Sequence, residues 1–524
     1  MQKPTLFDFF TKEQPFGPIT SPNVKDPSLL QHVFCTENLI YYEMSGRPSL
    51  IIGRRGAGKT AFLQSIHLNP TYKVIIELPT HKAFREIVDS IQKMGRGTAV
   101  FAEEISDLWN MIFWHTILVR LTEFGGKSED LNAIKQYVSS VGLKKIMSPY
   151  NVMRAIIKIL KERGGDNPLS MISEFLDEIM FNGITFTEAR TAAIEFLERN
   201  NMRAIILIDA LEDFQLDNET MCHAVAGLLR CQGSFHFPGS PCELRCCIPS
   251  ELYHNLIYLS SNPNKDFQHR VLIHWHASEL IQLAAHRYSC FLQLYHPDLH
   301  TQFSHLDLHK RFGATTFWHS LLPISIKNRV GIVEDPLAYI LRHTQLLPRH
   351  LLMYLNQISL KSQKRNDNPV QFESTAIMDG VYETENTICQ EIFSAYKYIH
   401  PGARHASERC ISHLPFYFSD GELHKVYNRR GKVVQGIFDY EEFKAMMIEI
   451  GAIGRVTNKT DRYIIGLFEY TVPHKVIAST YDELCLHPVF TEVFHAIKPE
   501  PGEETRVVYP YGSDIDGEEF RELR

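Results

Sequence analysis

The sequence predicts an α/β protein in which a parallel sheet lies between two layers of helices. Short apolar runs of strand length alternate with longer segments of helical periodicity, which is the pattern of repeated βα units. A glycine-rich loop follows the first strand, and an aspartate ends a later apolar strand. The predicted strands are Ser49–Ile52, Lys73–Pro79, Ala204–Ile208, a run ending near Ser250, and Val271–Trp275.

The loop after the first strand has the spacing G-x-x-x-x-G-K-[ST]. Its glycines allow backbone N–H groups to turn toward phosphates, its lysine suits the terminal phosphates, and its hydroxyl suits Mg²⁺. An apolar strand precedes the loop, and the helical stretch "TAFLQSIHL" follows it. In this order the N-terminus of the following helix points at a phosphate bound in the loop. The sequence therefore predicts a binding loop for ATP and Mg²⁺ made of Gly53, Arg54, Arg55, Gly56, Ala57, Gly58, Lys59 and Thr60.

The strand Ala204–Ile208 supplies the second part of this predicted site, because it ends at Asp209. Its continuous apolar run is typical of a central parallel strand, and we expect Asp209 to hold Mg²⁺ together with the loop hydroxyl. The next residue is Ala210, where many ATPases have a catalytic glutamate. Glu212 is our candidate for orienting the attacking water, because its longer side chain can reach back. The alternative is that Glu212 and Asp213 only favour the start of the next helix.

The segments between and after these strands predict helices. Residues 81–95 and 107–124 have helical apolar spacing, and residues 125–200 indicate a helical insertion before the aspartate strand. Residues 278–365 read as almost wholly helical. A Pro-Arg pair containing Arg349 starts one amphipathic helix of this region.

These features resemble the AAA+/STAND-type P-loop ATPases of bacteria. The resemblance implies a three-layer parallel P-loop NTPase core with a helical insertion and a helical lid, followed by a winged-helix domain. It also implies that Arg349 contacts the γ-phosphate and that a polar sensor lies at Ser250. The implied segments are an N-terminal segment 1–45, a core 46–276 with the insertion at about 125–200, a lid 277–370, a winged-helix region 371–480 and a tail 481–524.

The last third has a predicted helix pair followed by a β-hairpin, and it resembles the winged helix behind the lid of initiator-type AAA+ proteins. Apolar residues recur at helical spacing over 443–450, and "TNKTD" separates two strands. The second helix is acidic, which argues against deep entry into a DNA groove. A basic stretch favours phosphate contacts, so DNA binding and protein docking both stay open. Its residues are Lys425, Arg429, Arg430 and Lys432.

Composition restricts the class of protein. The chain has 524 residues, 44% hydrophobic and 22% charged, with a net charge of −7, which fits a globular protein without an overall basic surplus. No apolar stretch has the length of a signal peptide or a membrane span, so we expect a cytoplasmic location without a membrane partner. Ten cysteines without C-x-x-C spacing and 25 histidines without a metal motif favour reduced thiols and no bound zinc. The acidic C-terminal stretch predicts partial disorder.

The expected activity is hydrolysis of ATP to ADP and phosphate, coupled to conformational change or assembly, with Lys59, Glu212 and Arg349 as catalytic residues. The alternative is a nucleotide-gated switch or scaffold with little or no hydrolysis, since the usual glutamate is missing. The resemblance implies a role in a phage-defence or DNA-related system. It also implies homo-oligomers in which a neighbour supplies an arginine, with three candidates: Arg245, Arg270 and Arg287.

Overall fold

The computed structural model describes residues 5–21, 25–33, 48–78, 85, 86, 88, 89, 102–126, 128–144, 147–164, 172, 183–209, 219–235, 239–258, 268–365, 368–430, 438–472, 476–498 and 506–513.

Five parallel strands form the first sheet of the described chain, as the sequence predicts. They are β1 (Leu50–Gly53), β2 (Tyr72–Leu78), β3 (Arg203–Ile208), β4 (Cys242–Pro249) and β5 (Arg270–Ile273). Their order across the sheet is β2-β3-β4-β1-β5. Leu50 of β1 is paired with Cys246 on one side and with Arg270 on the other. The strand that leads into the glycine-rich loop is therefore an interior strand.

The interior strands β1, β3 and β4 are buried on both faces, whereas the edge strands β2 and β5 have exposed positions. In β3, Ile206 and Ile208 belong to one buried cluster, whereas Ile205 and Leu207 belong to the other. Phe62, from the helix after the loop, packs into the second cluster. The arrangement is an α/β core with helices on either side of a parallel sheet.

Helices of the first half cover these faces. The indole Nε1 of Trp109 donates a hydrogen bond to the carbonyl oxygen of Ala224 at 2.9 Å, which joins the two longest of them. The range 125–200 contains three helices in its described part, and their status as an insertion stays a prediction. The helices are α1 (Pro27–Val33), α2 (Lys59–Gln64), α3 (Ala102–Leu121), α4 (Glu129–Ser140), α5 (Pro149–Gly164), α6 (Phe186–Arg199), α7 (Glu219–Phe235) and α8 (Ser250–Ile257).

The region after the sheet is mostly helical, as the sequence predicts. A short antiparallel ribbon, β6 (Ile326–Lys327) with β7 (Val333–Glu334), interrupts it. Asn328 stabilises the turn, because its side-chain oxygen accepts from the backbone N–H groups of Val330 and Ile332. The helices are α9 (Ala277–Tyr295), α10 (Pro297–Phe303), α11 (Arg311–Leu321), α12 (Pro336–Arg342), α13 (Pro348–Arg365) and α14 (Ser374–Ala395).

In its described residues after α14, the chain combines four helices with a second sheet. The helices are α15 (Ala403–Ile411), α16 (Asp420–Arg430), α17 (Tyr440–Glu449) and α18 (Pro488–Val493). The strands are β8 (Tyr417–Ser419), β9 (Ile453–Lys459), β10 (Tyr463–Leu467), β11 (Glu483–Leu486) and β12 (Val507–Pro510). Their order is β12-β10-β9-β11-β8, and β12 is parallel to β10 whereas the other pairs are antiparallel.

Two sequence predictions for this third need correction. The helix pair α16 and α17 does precede a β9–β10 hairpin, but three further strands extend that hairpin into a five-stranded sheet of the described chain. The expectation of disorder near the C-terminus is wrong for Val507–Pro510, which is a buried strand paired with Tyr463–Gly466. Both differences arise from pairing between distant segments, which local composition does not encode. The identification as a winged helix stays a prediction.

No described helix is both long enough and apolar enough to cross a membrane.

Candidate nucleotide-binding site

The glycine-rich loop has the backbone conformation that its spacing predicts. Gly56 and Gly58 have φ values of +87° and +94°, in the left-handed region where a side chain causes strain. The N–H of Ala57 donates to the carbonyl oxygen of Arg54 at 3.0 Å, which closes the turn. Helix α2 begins at Lys59, immediately after the loop, so its N-terminal N–H groups lie at the site.

Lys59 is buried at the start of α2, with 4% of its surface exposed. Its ammonium Nζ donates to the carbonyl oxygens of Gly53 and Arg54, at 3.0 and 3.1 Å. Neutral carbonyls therefore hold this cation in place, and its charge is available to attract an anion at the loop.

Thr60 and Asp209 meet although 149 residues separate them in the sequence. The Thr60 hydroxyl donates to Oδ2 of Asp209 at 2.9 Å. They meet because the carboxyl ends of β1 and β3 lie at the same edge of the sheet, with β4 between these strands. Hydroxyl and carboxylate oxygens are the ligands that Mg²⁺ prefers, so the residues present fit this ion.

A cavity of about 100 Å³ lies beside the loop. Its wall includes the loop from Gly56 through Ala61 and combines charged and apolar side chains. The indole Nε1 of Trp275, just after β5, donates to the carbonyl oxygen of Ala57 at 2.8 Å and so fixes that side of the wall. The remaining lining comes mainly from Pro18–Ser21, Val33, Glu279, Leu283, Arg287, Pro348, Arg349 and Leu352.

The segment Phe16–Ser21 is a part of this site that the sequence analysis missed. The side chain of Asn356 of α13 forms two hydrogen bonds with the backbone of this segment. It accepts from the N–H of Phe16 at 2.9 Å and donates to the carbonyl of Gly17 at 3.1 Å. The Phe16 ring stacks on Tyr288 with 4.6 Å between ring centroids. The aromatic and glycine-proline content of "PFGPIT" is the signal that could have indicated an ordered, packed segment here.

Arg287 also anchors this segment, which excludes it as a candidate for the arginine that reaches a neighbouring subunit. Its guanidinium donates to the carbonyl oxygens of Val33, Phe16 and Pro18 at 3.1, 3.2 and 2.9 Å. The residue is only 6% exposed. A side chain that is buried and bonded inside its own chain cannot complete another subunit's site.

The other two arginine candidates differ from each other. Arg245 is 1% exposed, lies 3.6 Å from the carboxylate of Glu243 and packs over the ring of Phe62, so it is also excluded as a contact to a neighbour. Arg270 lies on the edge strand β5, is exposed, and donates to the hydroxyl of Tyr253 at 2.8 Å. Of the three candidates, Arg270 alone has the exposure that such a contact needs.

Arg349 lies directly against the glycine-rich loop. A Cβ atom built on Gly56 would come within 3.1 Å of the Arg349 Cβ, a tight contact that adds to the strain of a side chain at φ +87°. Its Nε donates to the carbonyl oxygen of Ile19 at 3.4 Å, and its Nη1 forms a 2.5 Å ion pair with Glu391 of α14. The structure thus brings Arg349 to the loop and pairs it with a carboxylate from the same chain.

Arg54 and Arg55 face the C-terminal half of the chain. The Arg54 guanidinium lies 5.3 Å from the centroid of the Tyr470 ring. Nη1 of Arg55 donates to the hydroxyl of Ser394 on α14 at 3.3 Å. Their backbone belongs to the predicted binding loop, but their described side-chain contacts are with other parts of the protein.

Glu251, not Ser250, contacts the loop from the end of β4. The carboxylate of Glu251 accepts from the backbone N–H of Arg55 at 3.0 Å, and Glu251 is 7% exposed. The Ser250 hydroxyl lies 3.4 Å from that same carboxylate, so it bonds its neighbour. The strand-to-helix junction lies at Pro249 and Ser250, and the sensor role implied for Ser250 stays a prediction.

Glu212 and Asp213, the predicted water-orienting candidates, lie outside the described residues.

Burial keeps several titratable groups near the loop neutral. His350, next to Arg349, is buried and has a pKa well below its usual range because of burial and then the charge of Arg54. Its Nδ1 accepts from the N–H of Gln345 at 3.3 Å, as a neutral imidazole does. Burial, followed by the charge of Asp209, raises the pKa of Cys246 to about 12. These side chains add no charge at neutral pH.

Comparisons with known proteins give weak likenesses only. Neither a family model nor a curated protein matches the sequence. The Walker-type ATPase PABY2304 of Pyrococcus abyssi is similar over 90% of this chain and 96% of its own, at 10% identity and a TM-score of 0.35. The Aeropyrum pernix ORC2 protein, solved as ADPNP-ADP complexes, is similar over 93% and 96%, at 11% identity and a TM-score of 0.35. Cdc6p from Pyrobaculum aerophilum is similar over 93% and 97%, at 9% identity and a TM-score of 0.28. Such scores do not assign this chain to a family.

Proposed function

We propose that this protein binds ATP with Mg²⁺ at the loop Gly53–Thr60 and hydrolyses it to ADP and phosphate. The observation that carries the proposal is the arrangement at the ends of β1 and β3. A buried lysine, two left-handed glycines and a hydroxyl-carboxylate contact meet there at the N-terminus of α2. Phosphate binding is the chemistry for which this combination is suited.

Each residue has a distinct part in the proposed reaction. Lys59 and the loop N–H groups neutralise charge that develops on the phosphates, and Thr60 and Asp209 hold Mg²⁺. When bound, Mg²⁺ supplies further neutralisation of the phosphate oxygens. Arg349 approaches the phosphates from α13. Glu212 orients the attacking water.

Replacing Lys59 tests the nucleotide site. Lys59→Ala removes a charge-assisted contact of about 1.5–3 kcal/mol, so ATP affinity should fall roughly 10-fold to 100-fold, and turnover should fall with it. Calorimetric titration with ATP and a phosphate-release assay measure the two quantities. Lys73→Ala, at an exposed position of β2, is the control and should leave both unchanged. Unchanged binding and hydrolysis in Lys59→Ala would refute the site.

Replacing Glu212 tests hydrolysis separately from binding. Glu212→Gln keeps the shape of the side chain but removes its carboxylate, so ATP should bind normally while turnover slows by ~100-fold or more. Asp213→Asn is the matched comparison. If Asp213→Asn slows turnover and Glu212→Gln does not, the role belongs to Asp213.

A nucleotide-gated switch with little or no hydrolysis is the second candidate function. Two observations favour it: Ala210 follows Asp209 in place of a glutamate, and α14 of the same chain contacts both Arg349 and Arg55. A switch of this kind changes the position of α14 when ATP replaces these contacts. Steady-state phosphate release, measured with and without DNA, distinguishes the two functions.

Assembly is a further part of the proposal. In an ATP-driven oligomer a neighbouring chain supplies an arginine, and Arg270 is the exposed candidate; in a monomeric switch Arg349 acts within its own chain. Light scattering of the Glu212→Gln protein, first with ATP and Mg²⁺ and then with ADP, separates these cases. A higher-mass species with ATP alone supports the oligomer, and a monomer in both conditions supports the switch.

DNA is the partner that we propose for the C-terminal third. Exposed basic side chains lie on α15 and α16, and none of them forms an ion pair in the described structure: Arg404, Arg409, Lys425, Arg429 and Arg430. Such a surface suits phosphate contacts with a strong dependence on salt. Fluorescence anisotropy with labelled duplex DNA at several salt concentrations tests it. If DNA does not bind, or binds without salt dependence, a protein partner is favoured for this surface. The proposed role in a phage-defence or other DNA-related system depends on the same measurement.

A further inference from the structure

The end of β5 contacts the glycine-rich loop at two points. A Cβ atom built on Gly53 would be 3.3 Å from Cβ of Ile273, the last residue of β5. Two residues later, the indole Nε1 of Trp275 donates to the carbonyl oxygen of Ala57 at 2.8 Å. Trp275 is partly buried, and it lines the cavity beside the loop. A side chain from outside the loop therefore holds the loop backbone at Ala57.

The hydrogen bond from Trp275 sets the orientation of one peptide unit. In a planar trans peptide, the carbonyl oxygen and the N–H of the next residue point in opposite directions. Because the carbonyl of Ala57 points at the indole, the N–H of Gly58 points away from it. Gly58 lines the cavity, and its N–H has no hydrogen-bond acceptor among the described residues. A ligand at the loop can therefore use this N–H.

The loop backbone by itself does not fix the orientation of this peptide unit. Gly56 and Gly58 have φ values of +87° and +94°. Glycine adopts positive and negative φ at similar cost, so the chain next to it can rotate. A hydrogen bond from a packed side chain limits this rotation. Trp275 is such a side chain, because it packs against the buried cluster that includes Phe62 and Ile273.

Other hydrogen bonds hold the first half of the loop. The N–H of Ala57 donates to the carbonyl oxygen of Arg54 at 3.0 Å. The ammonium of Lys59 donates to the carbonyl oxygens of Gly53 and Arg54. The carbonyl of Ala57, by contrast, receives its hydrogen bond from Trp275. The contribution of Trp275 can therefore be removed while the bonds of the first half remain.

We infer that Trp275 is a positioning residue of the candidate nucleotide site. Its indole N–H holds the Ala57–Gly58 peptide so that the N–H of Gly58 donates to a phosphate bound at the loop. The inference rests on the proposed function, because it requires a phosphate at the loop. It goes beyond that function by assigning a role to a residue outside the G-x-x-x-x-G-K-[ST] spacing. Removal of the indole N–H alone should weaken phosphate binding and leave the fold intact.

Calorimetric titration of the full chain with ATP and Mg²⁺ tests this inference. Trp275 is replaced by β-(3-benzothienyl)alanine, which keeps the shape of tryptophan but has sulfur in place of the N–H. The affinity for ATP should fall roughly 3-fold to 10-fold, as expected when one hydrogen bond of the site is lost. Trp275→Phe, which also lacks the donor, is the second variant and should lose at least as much affinity.

Trp318 provides the matched control. Its indole Nε1 also donates to a backbone carbonyl, that of Ile281 at 3.0 Å, but Trp318 is not among the described residues that line the cavity. The same benzothienyl replacement at Trp318 should leave the affinity for ATP unchanged. Thermal unfolding of both proteins separates an effect on the site from an effect on stability.

Two results would overturn the inference and leave the nucleotide site in place. One is wild-type affinity in both Trp275 variants while Lys59→Ala loses ATP binding. The other is an equal loss of affinity from the replacements of Trp275 and Trp318, which would indicate a general effect on the fold. If the wild-type chain shows no saturable ATP binding, the inference and the proposed function both fail.

Discussion

Single buried side chains keep their polar groups satisfied in different ways in this protein. The buried Lys59 donates from its ammonium to two backbone carbonyls. His115 of α3 is fully buried, and both of its ring nitrogens have hydrogen-bond partners when the ring is neutral. Its Nδ1 lies 2.7 Å from the carbonyl oxygen of Met111, and its Nε2 lies 3.0 Å from the hydroxyl of Tyr137. The first nitrogen must therefore carry the hydrogen, and the second accepts.

His115 should make the stability of the protein depend on pH. Burial lowers the pKa of His115 to about 4, against 6.5 for the unfolded chain. Between these values the unfolded state binds the extra proton, so the free energy of unfolding falls as the pH decreases from 6.5 toward 4, by up to ~1.4 kcal/mol per pH unit. Denaturant unfolding at pH 7, 6 and 5 measures this.

Other buried histidines also make the stability depend on pH between 4 and 6.5. The contribution of His115 is therefore measured as the difference in stability between wild type and a His115 variant. The stability of wild type minus that of His115→Gln should shrink as the pH decreases, because the variant lacks this proton-binding group. The exposed His319→Gln is the control, and its difference from wild type should stay nearly constant. A constant difference for His115→Gln as well would show that His115 titrates normally.

Two long helices, α13 and α14, meet at a position where only glycine fits. A Cβ atom on Gly380 would come within 2.6 Å of Cγ1 and 2.8 Å of Cα of Ile358. Because one of these is a backbone atom, a side-chain rotation cannot relieve the contact. The helix packing that carries Arg349 and Glu391 thus depends on this close approach.

Gly380→Ala should destabilise the protein. Helix propensity favours alanine by about 1 kcal/mol, but overpacking against a backbone costs about 1–3 kcal/mol or more, so the net change is expected to be unfavourable. The temperature of thermal unfolding measures it. Gly421→Ala in α16, whose Cβ would meet only the Ser419 hydroxyl at 4.0 Å, is the control and should be neutral or slightly stabilising. Equal stability of the two variants would contradict the packing argument.

At the scale of the whole molecule, α14 connects the glycine-rich loop to the C-terminal third. Glu391 and Ser394, one helical turn apart, contact Arg349 and Arg55 respectively. Phe393, on the same helix, packs edge-to-face on Phe490 of α18 with 5.7 Å between ring centroids. A change at the loop can therefore reach the C-terminal sheet through a single helix.

Glu391→Gln should increase the affinity for ATP. The Glu391 carboxylate competes with phosphate for Arg349, and a partly exposed ion pair of this kind contributes about 0.5–1 kcal/mol, so we expect a gain of roughly 2-fold to 5-fold. Calorimetric titration measures it. Glu383→Gln removes a different ion pair on the same helix, with Lys361, and should leave the affinity unchanged. Weaker binding in Glu391→Gln would mean that Glu391 positions Arg349 for binding and does not compete for it.

Much of the core was predictable because its determinants are local. The five apolar runs correspond to the five parallel strands, and the glycine spacing corresponds to a loop with left-handed φ at Gly56 and Gly58. Where the prediction was wrong, a contact between distant residues was responsible. Arg287, a candidate for contact with a neighbouring subunit, is buried by a segment that lies 266 to 271 positions away.

The sequence by itself determined the strand pattern, the loop and the aspartate that ends β3. The signals for these features, which are the spacing of apolar residues and the position of glycines, extend over only a few residues of the chain. Only the tertiary structure decided that Pro18–Ser21 lines the candidate site, that Glu391 pairs with Arg349, and that β12 joins the second sheet. These contacts join segments hundreds of residues apart or depend on strand pairing across a sheet. Their free energy comes from burial and hydrogen bonds that exist only after the chain has folded, so no local pattern records them.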